Sequence, residues 1–364
     1  MDPYNTPEAV LQLGIIDPEI EQVIRPQPPK KPNILTNIQI FKETPPPNLN
    51  SSPAQVLREG ANINDKLSSE RKPALHGTNE SVTTIQMRDG YESELRIIKP
   101  PNQQPNSPLV VLIYGGGFFT GTTIQLLPWA KATAALYNAT VVLPSYRLAP
   151  EHPFPTAHND IWDSVKWLAA NASSLGTDPS KGFVIGGSSA GGNLAVVTAH
   201  RALRENLSPP LTGVLANIPP CLDAQIVPEK YKHLFLSREQ NANGLVCNAK
   251  DLEVWSGWWQ VDWLSVDYSP VNSDVPLTGL PPHFVQVDGL DILRDDGLIY
   301  EKLLRDSGVP TRLIAYPGMP HGHWTWPQHS LSDKAHVDTL SGIGWLLGQD
   351  IPREEIERLW NVEA

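Results

Sequence analysis

Gly182-Phe-Val-Ile-Gly-Gly-Ser-Ser-Ala-Gly-Gly-Asn193 carries three statements about local structure in twelve residues. Phe183-Val-Ile185 is a short apolar run of the kind that fills a buried strand. Leu194-Ala-Val-Val-Thr-Ala-His200 then continues with helical character. Between them, Gly187-Ser188-Ser189-Ala190-Gly191 is a G-x-S-x-G pentapeptide. Strand, sharp turn and helix in that order are what a nucleophile elbow requires. The glycines allow the turn to be tight enough to lift the Ser189 hydroxyl above the edge of the sheet. The helix N-terminus behind it favours negative charge. A Gly/Ser-rich turn without chemistry is the plain alternative, and the flanking strand and helix argue against it.

Further along the chain in both directions, apolar strands alternate with helical patterns. Leu109-Val-Val-Leu-Ile-Tyr114, Thr140-Val-Val-Leu-Pro144, Leu211–Ala216, His283–Val287 and Thr311–Tyr316 read as buried strands. Ala157, Ile161, Val165, Leu168 and Ala169 repeat at helical spacing, as do Leu298, Ile299, Leu303 and Leu304. The alternation predicts an α/β fold with a mostly parallel sheet covered by helices on both faces. Val82–Met87 and Glu92–Ile98 flank Asp89-Gly90 and predict a hairpin ahead of it.

Two segments break the rhythm. Residues 1–75 include a proline-rich stretch, and the chain has 36 prolines in 364 residues, about twice the usual share. They predict an N-terminal arm that contributes to a cap. Residues 222–268 have no strand pattern and are too long for a simple crossover. They predict an inserted helical cap, leaving 76–221 and 269–364 as the catalytic domain.

Composition narrows the function. Hydrophobic residues at 40% supply a core, and 28 Lys+Arg against 39 Asp+Glu give a net charge of −11. An acidic chain without a basic cluster is not expected to bind nucleic acid. No apolar run reaches the ~18–20 residues that span a bilayer. The opening residues lack a basic start and an apolar stretch, so a cytoplasmic location is expected. Cys221 and Cys247 make neither a disulfide framework nor a metal knuckle. His323 and His329 lack a third ligand, so no metal and no cofactor are expected. The sequence leaves room for a homodimer.

A serine nucleophile needs a hole for the oxyanion and a base. Tyr114-Gly115-Gly116-Gly117-Phe118 follows a central strand and leaves backbone N–H groups uncovered. His321 follows the last strand, and Asp291 follows the strand before it. Ser189, Asp291, His321 is the chain order of an α/β-hydrolase triad. His323 competes for the base, and Asp288, Asp295 and Asp296 compete for the acid. Helix capping is the plainer role for those three carboxylates.

With these residues in place, the chain resembles the hormone-sensitive-lipase-like branch of the α/β-hydrolases. The likeness rests on the glycine loop and the elbow, on Tyr146-Arg-Leu-Ala-Pro-Glu-His-Pro-Phe-Pro155 and on Ser269-Pro270. Gly279-Leu-Pro-Pro282, Asp291-Ile-Leu-Arg-Asp295 and His321-Gly322 complete it. It covers about residues 80–345 in order. It implies Ser189 as nucleophile, Asp291 as acid and His321 as base, with Gly116, Gly117 and Ala190 supplying oxyanion N–H groups. Three positions depart from the family pattern. Tyr114 stands for a histidine, Ser188 for an aspartate and Ile292 for a proline. The arm and the overall pattern are also similar to fungal natural-product esterases and deacetylases.

Trp255, Trp258, Trp259 and Trp263 fall at i, i+3, i+4 and i+8, on one face if the segment is helical. Some of them anchor the cap, and at least one is expected to face the substrate. Trp324 follows His321 by three residues and Trp326 by five. Tyr114, Phe118, Ser188, Trp255, Trp258, Trp259 and Trp324 are the candidate substrate contacts. Aromatic walls suit a neutral small-molecule ester with a bulky apolar part. The alternatives are acyl transfer or lactonisation by the same triad, and a non-catalytic receptor of the same fold. The presence of His321 argues against the receptor.

Overall fold

The computed structural model describes residues 3–24, 52–70, 77–326 and 330–361. Ile34, Leu35, Ile38, Ile40 and Phe41 of the arm, and His329, lie outside the described residues. Helices α1 (Pro7–Gln12), α2 (Pro18–Ile24) and α3 (Pro53–Glu70) precede the sheet. Its strands are β1 (Asn79–Gln86), β2 (Glu92–Lys99), β3 (Leu109–Ile113), β4 (Thr140–Pro144), β5 (Phe183–Ser188), β6 (Gly213–Asn217), β7 (His283–Asp288) and β8 (Thr311–Tyr316). Helices α4 (Leu127–Tyr137), α5 (Thr156–Asn171) and α6 (Ala190–Arg204) alternate with them. They are followed by α7 (Ser237–Gln240), α8 (Ala249–Trp259), α9 (Arg294–Asp306), α10 (Ser330–Leu346) and α11 (Arg353–Trp360).

The strand order is β1-β2-β4-β3-β5-β6-β7-β8. β1 and β2 form the antiparallel hairpin that Asp89-Gly90 predicts, and β2 pairs antiparallel with β4. All the later pairings are parallel. Strand β3 shows why its sequence is apolar throughout. Leu109, Val111 and Ile113 pack with Ile161, Val165 and Leu194 of α5 and α6 on one face. Val110 and Leu112 pack with Trp129, Ala130, Leu340 and Ile343 of α4 and α10 on the other. A strand buried on both faces has no polar side to alternate with.

Between β6 and β7, residues 222–268 hold α7, α8 and a 3-10 turn over Glu229–Leu234, with no strand. This segment is tied down by carboxylates of α9. Asp295 Oδ2 accepts from Leu236 and Ser237 N–H at 2.6 and 2.5 Å. Asp296 Oδ1 accepts from Cys221 and Leu222 N–H at 3.1 Å each, and Asp296 pairs with Arg238 at 2.9 Å. Asp295 and Asp296 therefore do not cap their own helix. They lie in its first turn but satisfy backbone donors of the inserted segment. Buried amides without such acceptors would each cost about 1–3 kcal/mol.

The tryptophan stripe is shorter than its spacing predicts. Helix α8 ends at Trp259, and Gln260 takes a left-handed conformation with φ 54°. Trp263 lies beyond the helix and meets Tyr268 edge-on instead. No helix of the described residues is long and apolar enough to cross a membrane.

Candidate active site

Ser189 follows β5 and precedes α6 with φ 54° and ψ −118°. For a residue with a side chain this conformation costs on the order of 1–3 kcal/mol, held by the surrounding packing. Gly187 and Gly191 make the turn feasible. A Cβ on Gly191 would lie 2.0 Å from Ile113 O, and one on Gly187 2.3 Å from Gly191 O. The backbone is pressed so closely against β3 that no side chain fits.

Three loops at the C-terminal edge of the sheet converge on this hydroxyl, where α/β folds place their ligands. His321, after β8, brings Nε2 to 2.9 Å from Ser189 Oγ. Its Nδ1 lies 2.7 Å from Oδ2 of Asp291, which follows β7. Asp291 is fully buried, and the His321 side chain is 14% exposed. The second Asp291 oxygen accepts from Leu293 N–H at 2.8 Å, which fixes the carboxylate plane. Burial lowers the affinity of the His321 imidazole for a proton. The charge and hydrogen bond of Asp291, helped by Asp288, outweigh that and raise its pKa above the usual 6.5.

The glycine loop after β3 passes beside the elbow. A Cβ on Gly115 would lie 2.6 Å from Ser188 O. The Gly115 N–H donates to Gln125 Oε1 at 2.7 Å. Gly116 and Gly117 adopt φ 124° and 61°, conformations that favour glycine. Ala190 is the first residue of α6, where the helix dipole is positive.

The competitors resolve by position. His323 is buried, with Nδ1 2.8 Å from Asp288 Oδ1, and does not touch Ser189. Tyr114, expected among the substrate contacts, is turned into the core. It stacks on Tyr146 with ring centroids 4.3 Å apart, and its hydroxyl donates to Tyr146 O at 3.2 Å. The ring belongs to the main core and lines neither of the chambers described below.

Two chambers meet at Ser189 and His321. One of about 300 Å³ is walled by Phe118, Trp255, Trp259, Trp263 and Tyr268, with Arg238 at its lining. The other, of about 760 Å³, is walled by Phe119, Trp255, Trp258 and Trp324, with Ser188 also in its lining and Val56 and Leu57 contributed by α3. Trp255 belongs to both. Trp259 doubles as an anchor, stacked on Phe118 at 3.6 Å. Trp326 is buried with the second face of the sheet rather than in either wall. The contributions of Tyr268, Arg238, Val56 and Leu57 had no signal in the sequence. They arrive from segments whose placement depends on tertiary packing.

The sequence pattern that describes the α/β-hydrolase fold matches residues 110–325. The chain belongs to the α/β-hydrolase family, in its hormone-sensitive-lipase-like branch. Within it, this α/β-hydrolase is an esterase-type enzyme. It is 31% identical over 91% of its length to an AB hydrolase superfamily protein of Schizosaccharomyces pombe, covering 94% of that protein. It is 34% identical to a versiconal hemiacetal acetate esterase of Dothistroma septosporum, covering 78% of this chain and 86% of the other. Among solved structures, vibralactone cyclase superposes with a TM-score of 0.76 at 28% identity, covering 93% of this hydrolase and 96% of the cyclase.

Proposed function

We propose that the protein hydrolyses a neutral carboxylic ester with a bulky apolar or aromatic part, through an acyl-enzyme on Ser189. The observation that carries this is the unbroken line of contacts Asp291–His321–Ser189 at the junction of two aromatic-walled chambers. His321 Nε2 takes the Ser189 proton as Oγ attacks the carbonyl, and Asp291 holds the imidazole in the tautomer that can do so. The carbonyl oxygen, now negative, is met by the N–H groups of Gly116, Gly117 and Ala190. His321 returns the proton to the leaving alcohol. A water, deprotonated by the same imidazole, then releases the acid. Unequal chambers give the two halves of the ester different room, and the larger half takes the larger chamber.

The relation to versiconal hemiacetal acetate esterases of Dothistroma septosporum and Aspergillus parasiticus supports a role in natural-product tailoring, with deacetylation as one form of it. The testing experiment is a set of aryl esters in which bulk is moved from the acyl to the alcohol side. A serine-directed phosphonate runs alongside. Turnover that depends strongly on the position of the bulk, with labelling at Ser189 alone, is the expected result. Equal turnover across the set, or labelling elsewhere, refutes it.

The likeness to vibralactone cyclase favours a second reading, in which the acyl-enzyme is captured by a hydroxyl of the same substrate. Mass analysis separates the two. Hydrolysis adds one water to the substrate, whereas capture yields a lactone without taking up water.

A further inference from the structure

Helix α3 grips the glycine loop at two points seven residues apart on one helix face. At one end, Arg58 Nε donates to Phe119 O at 3.0 Å, and Nη2 donates to Ala149 O at 2.8 Å. At the other, Asp65 enters the core and is 4% exposed. Its Oδ2 accepts from Thr122 N–H and from Thr122 Oγ1, each at 3.2 Å. Its Oδ1 accepts from Gln125 Nε2 at 3.4 Å. The Gln125 amide is thereby oriented, with its Oε1 facing Gly115 N–H at 2.7 Å. A relay of fixed polarity runs from the carboxylate through an amide to the peptide that precedes Gly116 and Gly117. Among the described residues Asp65 has no cationic partner. Burial pushes its carboxyl up to about 6, against the opposing effect of these hydrogen bonds. A buried carboxylate held only by neutral donors among the described residues is a costly way to fill a core position.

We infer that Asp65 and Gln125 are positioning residues for the oxyanion hole, with α3 acting as a splint that sets the Gly115–Gly117 peptides against Ser189. This rests on the esterase reading above. Asp65 lines neither chamber, and Gln125, at the lining of the larger one, spends its amide on Asp65 and Gly115. They act through the Gly115 peptide, whose orientation fixes the N–H vectors of the next two residues. Asp65→Asn replaces one acceptor by a donor. With the asparagine oxygen kept on Thr122 N–H, its NH₂ faces Gln125, so the Gln125 amide turns round and its NH₂ meets Gly115 N–H head-on.

The test is steady-state kinetics on an aryl ester, combined with inhibition by an aryl trifluoromethyl ketone, whose tetrahedral adduct places an oxyanion in the hole. Asp65→Asn should lower kcat by about tenfold to a hundredfold, less than the loss of a whole oxyanion donor, with KM unchanged. The inhibition constant should rise by the same factor. Gln125→Met, which removes the acceptor facing Gly115 N–H, should show the same loss, and it serves if Asp65→Asn does not fold. The double variant Asp65→Asn/Gln125→Glu restores the polarity, because the new amide donates to the new carboxylate and that carboxylate accepts from Gly115. It should recover most of the activity. Single variants with wild-type kcat, a loss seen only in KM, or a folded double variant that recovers nothing would each overturn the splint. A wild type that neither turns over esters nor is labelled at Ser189 would overturn the esterase reading, and the splint with it. Active, labelled wild type beside unaffected variants would overturn the splint alone.

Discussion

His323 Nδ1 lies 2.8 Å from Asp288 Oδ1, so the loop after β8 carries a second histidine–carboxylate pair beside that of His321 and Asp291. Asp288 also accepts from Gly322 N–H at 3.0 Å, and it thereby pins the residue next to His321. The two pairs look alike in sequence, and only one reaches Ser189. His321→Ala and Asp291→Asn should each cut kcat by about 10⁴. His323→Ala should mainly lower the melting temperature, and its residual activity should follow the folded fraction. Equal catalytic losses at His321 and His323 in folded protein would show the base to be shared or misassigned.

The reaction should be faster at higher pH. The base is active when neutral, and Asp291 raises the His321 pKa above 6.5 despite burial. A profile of kcat/KM should climb through an apparent pKa above 6.5 and flatten beyond it. Asp291→Asn removes the charge that holds the proton, so the midpoint of its residual activity should move down. A midpoint that moves up contradicts the assignment.

Stability has a different pH dependence. Asp65 and Asp296 are both raised by burial from 3.8 to about 6. Between those values the folded chain keeps protons that the unfolded chain has released. Stability from these groups is fully present below about 3.8 and is lost as pH rises through about 6. Melting temperatures taken across that window should decline more steeply in wild type than in Asp65→Asn. Identical slopes would mean that Asp65 does not titrate there.

The tryptophans of α8 should separate into two kinds. Trp259 is 4% exposed and stacked on Phe118, so Trp259→Ala should cost about 3–5 kcal/mol of stability, read by urea unfolding. Trp258 is only partly buried and lines the larger chamber. Trp258→Ala should leave stability within about 1 kcal/mol and raise KM for a bulky ester. A reversal of these two effects would move the anchor to Trp258.

The first helices touch the loop that carries His321. Leu13 O accepts from Gly318 N–H at 2.8 Å, and Val10 and Leu13 are buried against the main core. Deleting residues 1–24 should lower the melting temperature and impair turnover of bulky esters more than small ones. A truncated enzyme with wild-type stability and an unchanged bulky-to-small ratio would make this segment a passive tail.

What the sequence disclosed follows from how local its causes were. β3 and β5 were legible because strands buried on both faces are apolar at every position. Ser189 was legible because the elbow needs glycines at fixed offsets. A place in the first turn of α9 makes Asp295 and Asp296 look like helix caps. Their true partners, the amides of Leu236 and Cys221, come from a segment no spacing rule connects to them. Periodicity puts Trp263 on the helix but cannot see that Gln260 turns left-handed and ends it. Tyr114 stands beside the glycines and so resembles a substrate contact, and only the stacked Tyr146 ring shows which way it faces. Asp65 carried no signal at all. One acidic residue in a helix is ordinary until a loop more than fifty residues on folds over it.

Trp255 forms part of the wall of both chambers. If each chamber takes one half of the ester as proposed, the shared partition would make the two preferences a single inheritable trait. Any substitution there that admits a longer group on one side reshapes the other side as well, so selection for a new acid would carry along a changed taste in alcohols. Libraries built at Trp255 and screened on only one half of the ester should therefore return variants whose behaviour has drifted on the half that was never tested.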